Sequence, residues 1–251
     1  MIGGYLMRGL LCGLLGGLCA FLFAHAFGEP QITQAIAFET QRQIASGEPA
    51  GPEIFSRAVQ SGIGLFTAVM VVGTALGGAF SIACAFAYGR MGRLSTRAST
   101  AILALIAFVV VDLAPGLKYP ANPPSVGLPA TIGLRTELFF SMIAISIVFA
   151  VLAALIRSAS LAKLGAWNAT ILGALAYLGL VTFAQILLPD INEVPATFSA
   201  TVLWSFRVAS IGTIAVMWSV IGLVFGALTE RSEHDAWTPG TNVGTRLTGT
   251  P

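Results

Sequence analysis

The chain has 251 residues, 56% of them hydrophobic and only 10% charged, with a formal net charge of +2. A soluble globular domain carries about 25% charged residues, so a chain this poor in charge needs lipid to cover its surface. No block of like charge points to a nucleic-acid partner. Three cysteines and two histidines are too few for a disulfide framework or a Cys/His zinc module.

A helix that crosses the hydrocarbon core of a bilayer needs roughly 20 apolar residues. Six stretches approach that length and predict an all-α, polytopic transmembrane bundle: Tyr5 to Phe27, Gly62 to Tyr88, Thr100 to Leu117, Glu137 to Ile156, Leu164 to Leu188 and Val202 to Leu228. None alternates polar and apolar residues as a barrel strand would. Residues 1–231 form the transmembrane domain. The polar tail 232–251, with Gly, Thr and Pro and few apolar residues, is expected to be a disordered cytoplasmic segment.

The first stretch also has features of a cleavable leader. Arg8 lies near its start, and Ala24-His25-Ala26 resembles a signal-peptidase site. Against that, the apolar run is long, and Gly9, Gly13 and Gly17 form a small-residue face suited to close helix packing. Gly73 and Gly77, and Gly222 and Gly226, repeat the spacing. These glycines predict close contacts among spans one, two and six.

Between spans one and two, Gln31 to Ser46 lacks Gly and Pro and reads as a short surface helix. Gly47 to Pro52 breaks it, and Glu53 to Arg57 forms the first turn of span two, with Pro52 at or near its start. The loop from Lys118 to Arg135 carries Pro120, Pro123, Pro124 and Pro129, which argues against helix or central strand. It is expected to fold as a stiff segment over the mouth of the bundle. The loop Pro189 to Ala196 shares its rhythm, and the two are expected to meet with Lys118 and Glu193 facing each other.

Orientation follows from the basic residues near the span ends. With six spans and both termini in the cytoplasm, Arg8, Arg90, Arg93, Arg97, Arg157, Lys163, Arg231 and Arg246 lie inside. Arg42, Arg57, Lys118, Arg135 and Arg207 lie outside. The short segments Arg90 to Arg97 and Arg157 to Lys163 are basic and acid-free. Most acids fall on the outer side, among them Glu29, Asp112, Glu137, Asp190 and Glu193, and a negative mouth attracts cations. The expected location is the bacterial cytoplasmic (inner) membrane.

Several of these residues suit metal chemistry. Co²⁺ accepts imidazole and carboxylate ligands, so His25, Glu29, Asp112, Asp190 and Glu193 are candidate ligands for a cation in transit. Each also has a structural reading. The acids can instead form an ion-pair network with Arg57, Lys118, Arg135 and Arg207, to which Glu137 would belong, and His25 can sit at the lipid headgroup level. Cys12, Cys19 and Cys84 read as small packing residues, and Trp204, Trp218 and Trp237 as packing or interface aromatics. No phosphate-binding GxxxxGK[ST] motif, Ser/His/Asp arrangement or HExxH motif points to an enzyme.

Three segments carry a resemblance. They are Asp112 to Gly127, which holds the run Leu117-Lys118-Tyr119-Pro120-Ala121-Asn122-Pro123-Pro124; Pro189 to Pro195 followed by Leu203 to Ser210; and Glu53 to Arg57 with Gln60. Together they resemble the CbtA family, the predicted membrane subunit of a cobalt transporter, over most of the chain up to about Arg231. The resemblance implies cobalt uptake with no permanently bound cofactor. It also implies a small single-span, His-rich CbtB-like partner. Many members carry a His-rich stretch in the first outer loop, whereas Glu29 to Gln60 here contains no histidine. The alternative from another class is a non-transporting membrane scaffold or assembly protein whose outer loops are a docking surface.

Overall fold

A computed structural model describes residues 2–47, 55–92, 94–124 and 126–237, and among these it contains helices and no strand. Five helices are long and apolar enough to cross a membrane: Gly3–Ser46, Arg57–Ala87, Thr96–Lys118, Ile132–Leu187 and Ala200–Ser232. The fourth is two helices joined at Gly165, whose φ of 72° and ψ of 169° are non-helical. A positive φ is cheap only for glycine. Ser146 meets Tyr177, Gly173 faces Ala153, and Arg157 donates to Thr170. Contacts that converge on Gly165 from both sides describe an antiparallel hairpin. The chain therefore has six spans, the fourth covering 132–164 and the fifth 166–187.

Span four extends past both expected ends. Residues 157–164 contain no Gly or Pro, so nothing in the backbone stops the helix before Gly165. Span one also runs further than expected. Its α-helix Ile2–Phe23 passes through a π-helical turn, Ala24–Gly28, into Glu29–Ser46 without a break. Pro30 has no N–H to donate and its ring crowds the preceding turn. The wider π turn just before it absorbs that misfit. Span three uses the same device, with a π turn at Phe108–Leu113 just ahead of Pro115. Gln31 to Ser46, read as a separate surface helix, thus belongs to Glu29–Ser46, the continuation of span one. It ends at Gly47 in a left-handed conformation. Span two is capped by extended Ser56 and begins at Arg57; Pro52 and Glu53 lie outside the described residues.

Spans one and two pack antiparallel through glycine. A Cβ on Gly13 would overlap the carbonyl of Gly73, and one on Gly77 would overlap that of Gly9. Only residues without side chains allow backbones this close. Gly16 of span one, which is not part of the Gly9, Gly13, Gly17 face, rests on Met217 and Ile221 of span six. The glycines of span six do something different. Gly222 faces Ala104 and Gly226 faces Thr100, both on span three.

Span three therefore joins two groups of helices. Its first half shares an apolar core with spans one, two and six, built from Cys12, Phe80, Ala104, Trp218, Ile221 and Phe225. Its second half packs on spans four and five through Ala114, Met142 and Val181. Over one end lies a third cluster, in which Ala35 of the span-one extension meets Val126 and Phe198 from the two proline-bearing loops. This is the proline-loop end. The opposite, basic end carries Arg90, Arg97 and Arg157, where Arg97 pairs with Glu230. Span six continues as helix to Trp237; the rest of the expected tail segment lies outside the described residues.

Candidate functional site

The polar residues of interest collect at the proline-loop end, where the loops after spans three and five cross. Lys118 at the end of span three forms an ion pair with Asp190. The Tyr119 hydroxyl donates to the carbonyl of Pro189 at 3.0 Å, and Gln185 Nε2 donates to that of Ala114 at 2.8 Å. The loops meet, but Lys118 pairs with Asp190 and not with Glu193.

Glu193 is instead the centre of the crossing and is 6% exposed. Its carboxylate pairs with Arg135 and accepts from the hydroxyl of Thr131. It also accepts from Asn122 Nδ2 at 3.1 Å and from the backbone N–H of Leu128 at 3.4 Å. Gly127 makes room for it, since a Cβ there would stand 3.0 Å from Oε1. Burial works against the charge, but the donors from Thr131, Arg135, Asn122 and Leu128 outweigh it and hold the Glu193 carboxyl below the usual range. Asn122 faces both ways, because its Oδ1 accepts from an Arg207 guanidinium nitrogen at 3.0 Å.

Asp112 stands beneath this crossing, in the π turn of span three. Its Oδ2 accepts a 2.7 Å hydrogen bond from the indole Nε1–H of Trp218, a residue 4% exposed on span six. It forms no ion pair among the described residues. The carboxylate lines a cavity of about 400 Å³ whose walls include Phe108, Phe139, Asn122, Arg135 and Arg207. Arg135 is neutralised by Glu193. Among the described residues, Arg207 donates to neutral acceptors, Asn122 Oδ1 and the Ala121 carbonyl.

Away from the cavity, Glu29 is tied to Arg57 in an ion pair between spans one and two. His25 is exposed, stacks on Phe21, and places Nδ1 3.3 Å from the carbonyl of Ser61. Each member of the possible His25–Glu29 pair is thus engaged elsewhere. Glu137 is exposed and joins no ion pair among the described residues, so the expected charge network does not include it.

Among the described residues, no three His, Cys, Asp or Glu side chains are grouped to hold a metal ion. The five candidate ligands are dispersed. Glu29, Asp190 and Glu193 each hold a basic partner, His25 lies beside span two, and Asp112 alone faces the cavity without a cationic partner. Residues not singled out as site residues in the sequence complete the site. Trp218, read as a packing aromatic, holds Asp112, and Asn122 and Thr131 hold Glu193. Only Trp218 had a usable cue, since a buried indole N–H needs an acceptor and span six offers no acid within its membrane stretch.

These features define a multi-pass helical membrane protein with a cavity between spans three, four and six, walled by apolar side chains together with Asp112, Asn122, Arg135 and Arg207, beneath the crossed proline-bearing loops. The family model described as probable cobalt transporter subunit (CbtA) matches residues 2–230, nearly the whole chain. The chain belongs to the CbtA family. No curated protein and no solved structure matches it.

Proposed function

We propose that this chain is the membrane subunit through which a divalent cation, cobalt, is taken up, and that Asp112 is the acid the cation meets inside the bundle. The observation that carries this reading is the state of Asp112. A carboxylate within a membrane span costs about 2.5 to 3.5 kcal/mol on insertion scales and is normally compensated by a base. Here the compensation is one neutral indole N–H, and the carboxylate faces a cavity. A passing cation would supply the missing charge. One permanent carboxylate suits transport, because a site that releases its ion must hold it weakly.

The cavity lies at the proline-loop end, beneath the crossed loops. The basic, acid-free segments at the other end support a cytoplasmic location for that end and for both termini, in a bacterial inner membrane. The ion thus enters from outside and leaves toward the basic side. The word subunit in the family description supports a partner. A small single-span CbtB-like protein bearing histidines would supply the imidazoles that the loop Glu29 to Gln60 lacks.

Uptake of radioactive cobalt by cells that express the chain with its partner tests the reading. Asp112→Asn keeps the size and an acceptor for Trp218 but removes the charge, and is expected to lower uptake at least about tenfold, the scale of one charge-assisted interaction. Undiminished uptake in Asp112→Asn, at equal protein level, would remove the cavity from the ion path. Orientation is tested by thiol labelling from outside in a background lacking Cys12, Cys19 and Cys84. A cysteine at Ser46 is expected to react and one at Leu94 to be silent; the reverse inverts the direction of entry.

A further inference from the structure

We infer that the Asp112–Arg207 cavity takes its divalent cation as a complex with a small carboxylate-bearing chelator, and not as the bare aqua ion; this deepens the transport reading and rests on it. Three observations lead here. The first is the poverty of ligands. A transition-metal ion is held by several nitrogen, oxygen or sulfur donors, and the cavity offers one carboxylate, with no group of three candidate ligands among the described residues. An ion bound there must keep most of the ligands with which it arrives.

The second observation is Arg207. Arg207 lines the same cavity, and among the described residues its guanidinium donates to the Ala121 carbonyl at 3.3 Å and to Asn122 Oδ1 at 3.0 Å. Neither acceptor is charged, and among the described residues no carboxylate forms a salt bridge with Arg207, so its positive charge opposes a bare divalent ion. Arg135 adds less to this repulsion because it is paired with Glu193. A guanidinium is the side chain best shaped to grip a carboxylate through two parallel N–H donors. A chelate reconciles the two walls. Its carboxylate lies against Arg207, and the cation, directly or through a bound water, lies against Asp112.

Size is the third. The cavity holds about 400 Å³, against about 30 Å³ for one water in the liquid. That is room for an ion with an organic ligand around it, and Phe108 and Phe139 give the ligand's carbon skeleton an apolar wall. Amino acids and hydroxy acids share the required chemistry, a carboxylate beside a second metal donor. Histidine and citrate represent the two sources.

Calorimetric titration of the full chain in lipid nanodiscs tests the inference with Co²⁺ alone, Co²⁺–histidine, Co²⁺–citrate and each chelator without metal. One of the complexes is expected to bind at least about tenfold more tightly than Co²⁺ alone, the scale of one charge-assisted bond. Arg207→Gln is expected to remove that advantage, while Asp112→Asn weakens the complex and the aqua ion together. Arg207→Lys keeps the charge without the fork and is expected to retain part of the advantage, which separates loss of binding from loss of fold. If Co²⁺ alone binds as tightly as either complex and depends on Asp112 but not on Arg207, the chelate inference is overturned and the transport reading stands. If a chelator without metal binds as tightly as its complex, or no form binds, both are overturned.

Discussion

Glu193 and Asp112 are two carboxylates at the same end of one bundle, and they differ in how completely the protein satisfies them. Glu193 has an arginine, a hydroxyl, an amide and a backbone N–H directed at it. Asp112 has one indole. A carboxylate with its lone pairs filled by fixed donors has no valence left for a passing ion, and its value lies in the elements it ties together: span four through Arg135, the loop after span three through Asn122 and Leu128, and its own loop after span five. A carboxylate with one donor and an adjoining cavity holds neighbours weakly but remains available. The abundance of acids at this end is therefore a poor guide to cation binding, because most of them are already answered by bases.

Three measurements can break that contrast. Glu193→Ala should produce the largest effect. Removing one partner of a buried pair leaves the other charge uncompensated, which costs about 3 kcal/mol or more. Thermal unfolding of the purified chain in nanodiscs should show a clear drop in Tm, and the Arg135→Ala/Glu193→Ala double variant should lose less than the sum of the single losses. The same pair has a pH signature. Because the folded pKa of Glu193 is lowered, its stabilisation is complete above the unfolded value of about 4.3 and is lost as pH falls through the folded value. Stability should thus decline on the acid side, and Glu193→Gln should flatten that limb. Additive losses and an unchanged acid limb would mean the crossing is not held by this carboxylate.

Asp112→Asn should alter stability far less than Glu193→Ala, by about 1 kcal/mol or less, the net worth of an ordinary hydrogen bond. A drop in Tm as large as that of Glu193→Ala would make Asp112 a structural residue and erase the contrast. The smallest effect is expected at Lys118→Ala. The Lys118 side chain is 9% exposed but that of its partner Asp190 is 91% exposed, so removing the lysine leaves a solvated carboxylate and no buried unpaired charge, and the loss of the pair itself is on the scale of about 1 kcal/mol. A loss comparable to that at Glu193 would show that the Lys118–Asp190 contact, and not the buried pair, fastens the two loops.

Much of this was open to inspection in the amino-acid order. The six apolar lengths, the glycine faces at Gly13 and Gly77 and the meeting of the two proline-bearing loops all followed from local pattern. The CbtA resemblance rested on the stretch from Leu117 to Pro124 and is matched by the family over nearly the whole chain. Other features misled. Gly28 and Pro30 argued for a break, yet span one continues because a π turn accommodates the proline. Arg157 to Lys163 argued for a loop, yet only Gly165 interrupts the helix. Lys118 and Glu193 are placed on opposing loops with opposite charges, and each has another partner.

What the sequence determined by itself was the number, place and apolarity of the spans, since solvation by lipid acts on each segment separately and is summed along a local window. The distribution of basic residues at span ends is likewise a linear property. Which acid meets which base was decided only by the tertiary structure. Trp218 reaches Asp112 from 106 residues away, Asp190 reaches Lys118 from 72, and Glu193 reaches Arg135 from 58. Such pairings depend on helix rotation and on the one-residue offset introduced by each π turn. A displacement of a few ångströms exchanges a salt bridge for a cavity wall, because Coulomb and hydrogen-bond energies change steeply over that distance.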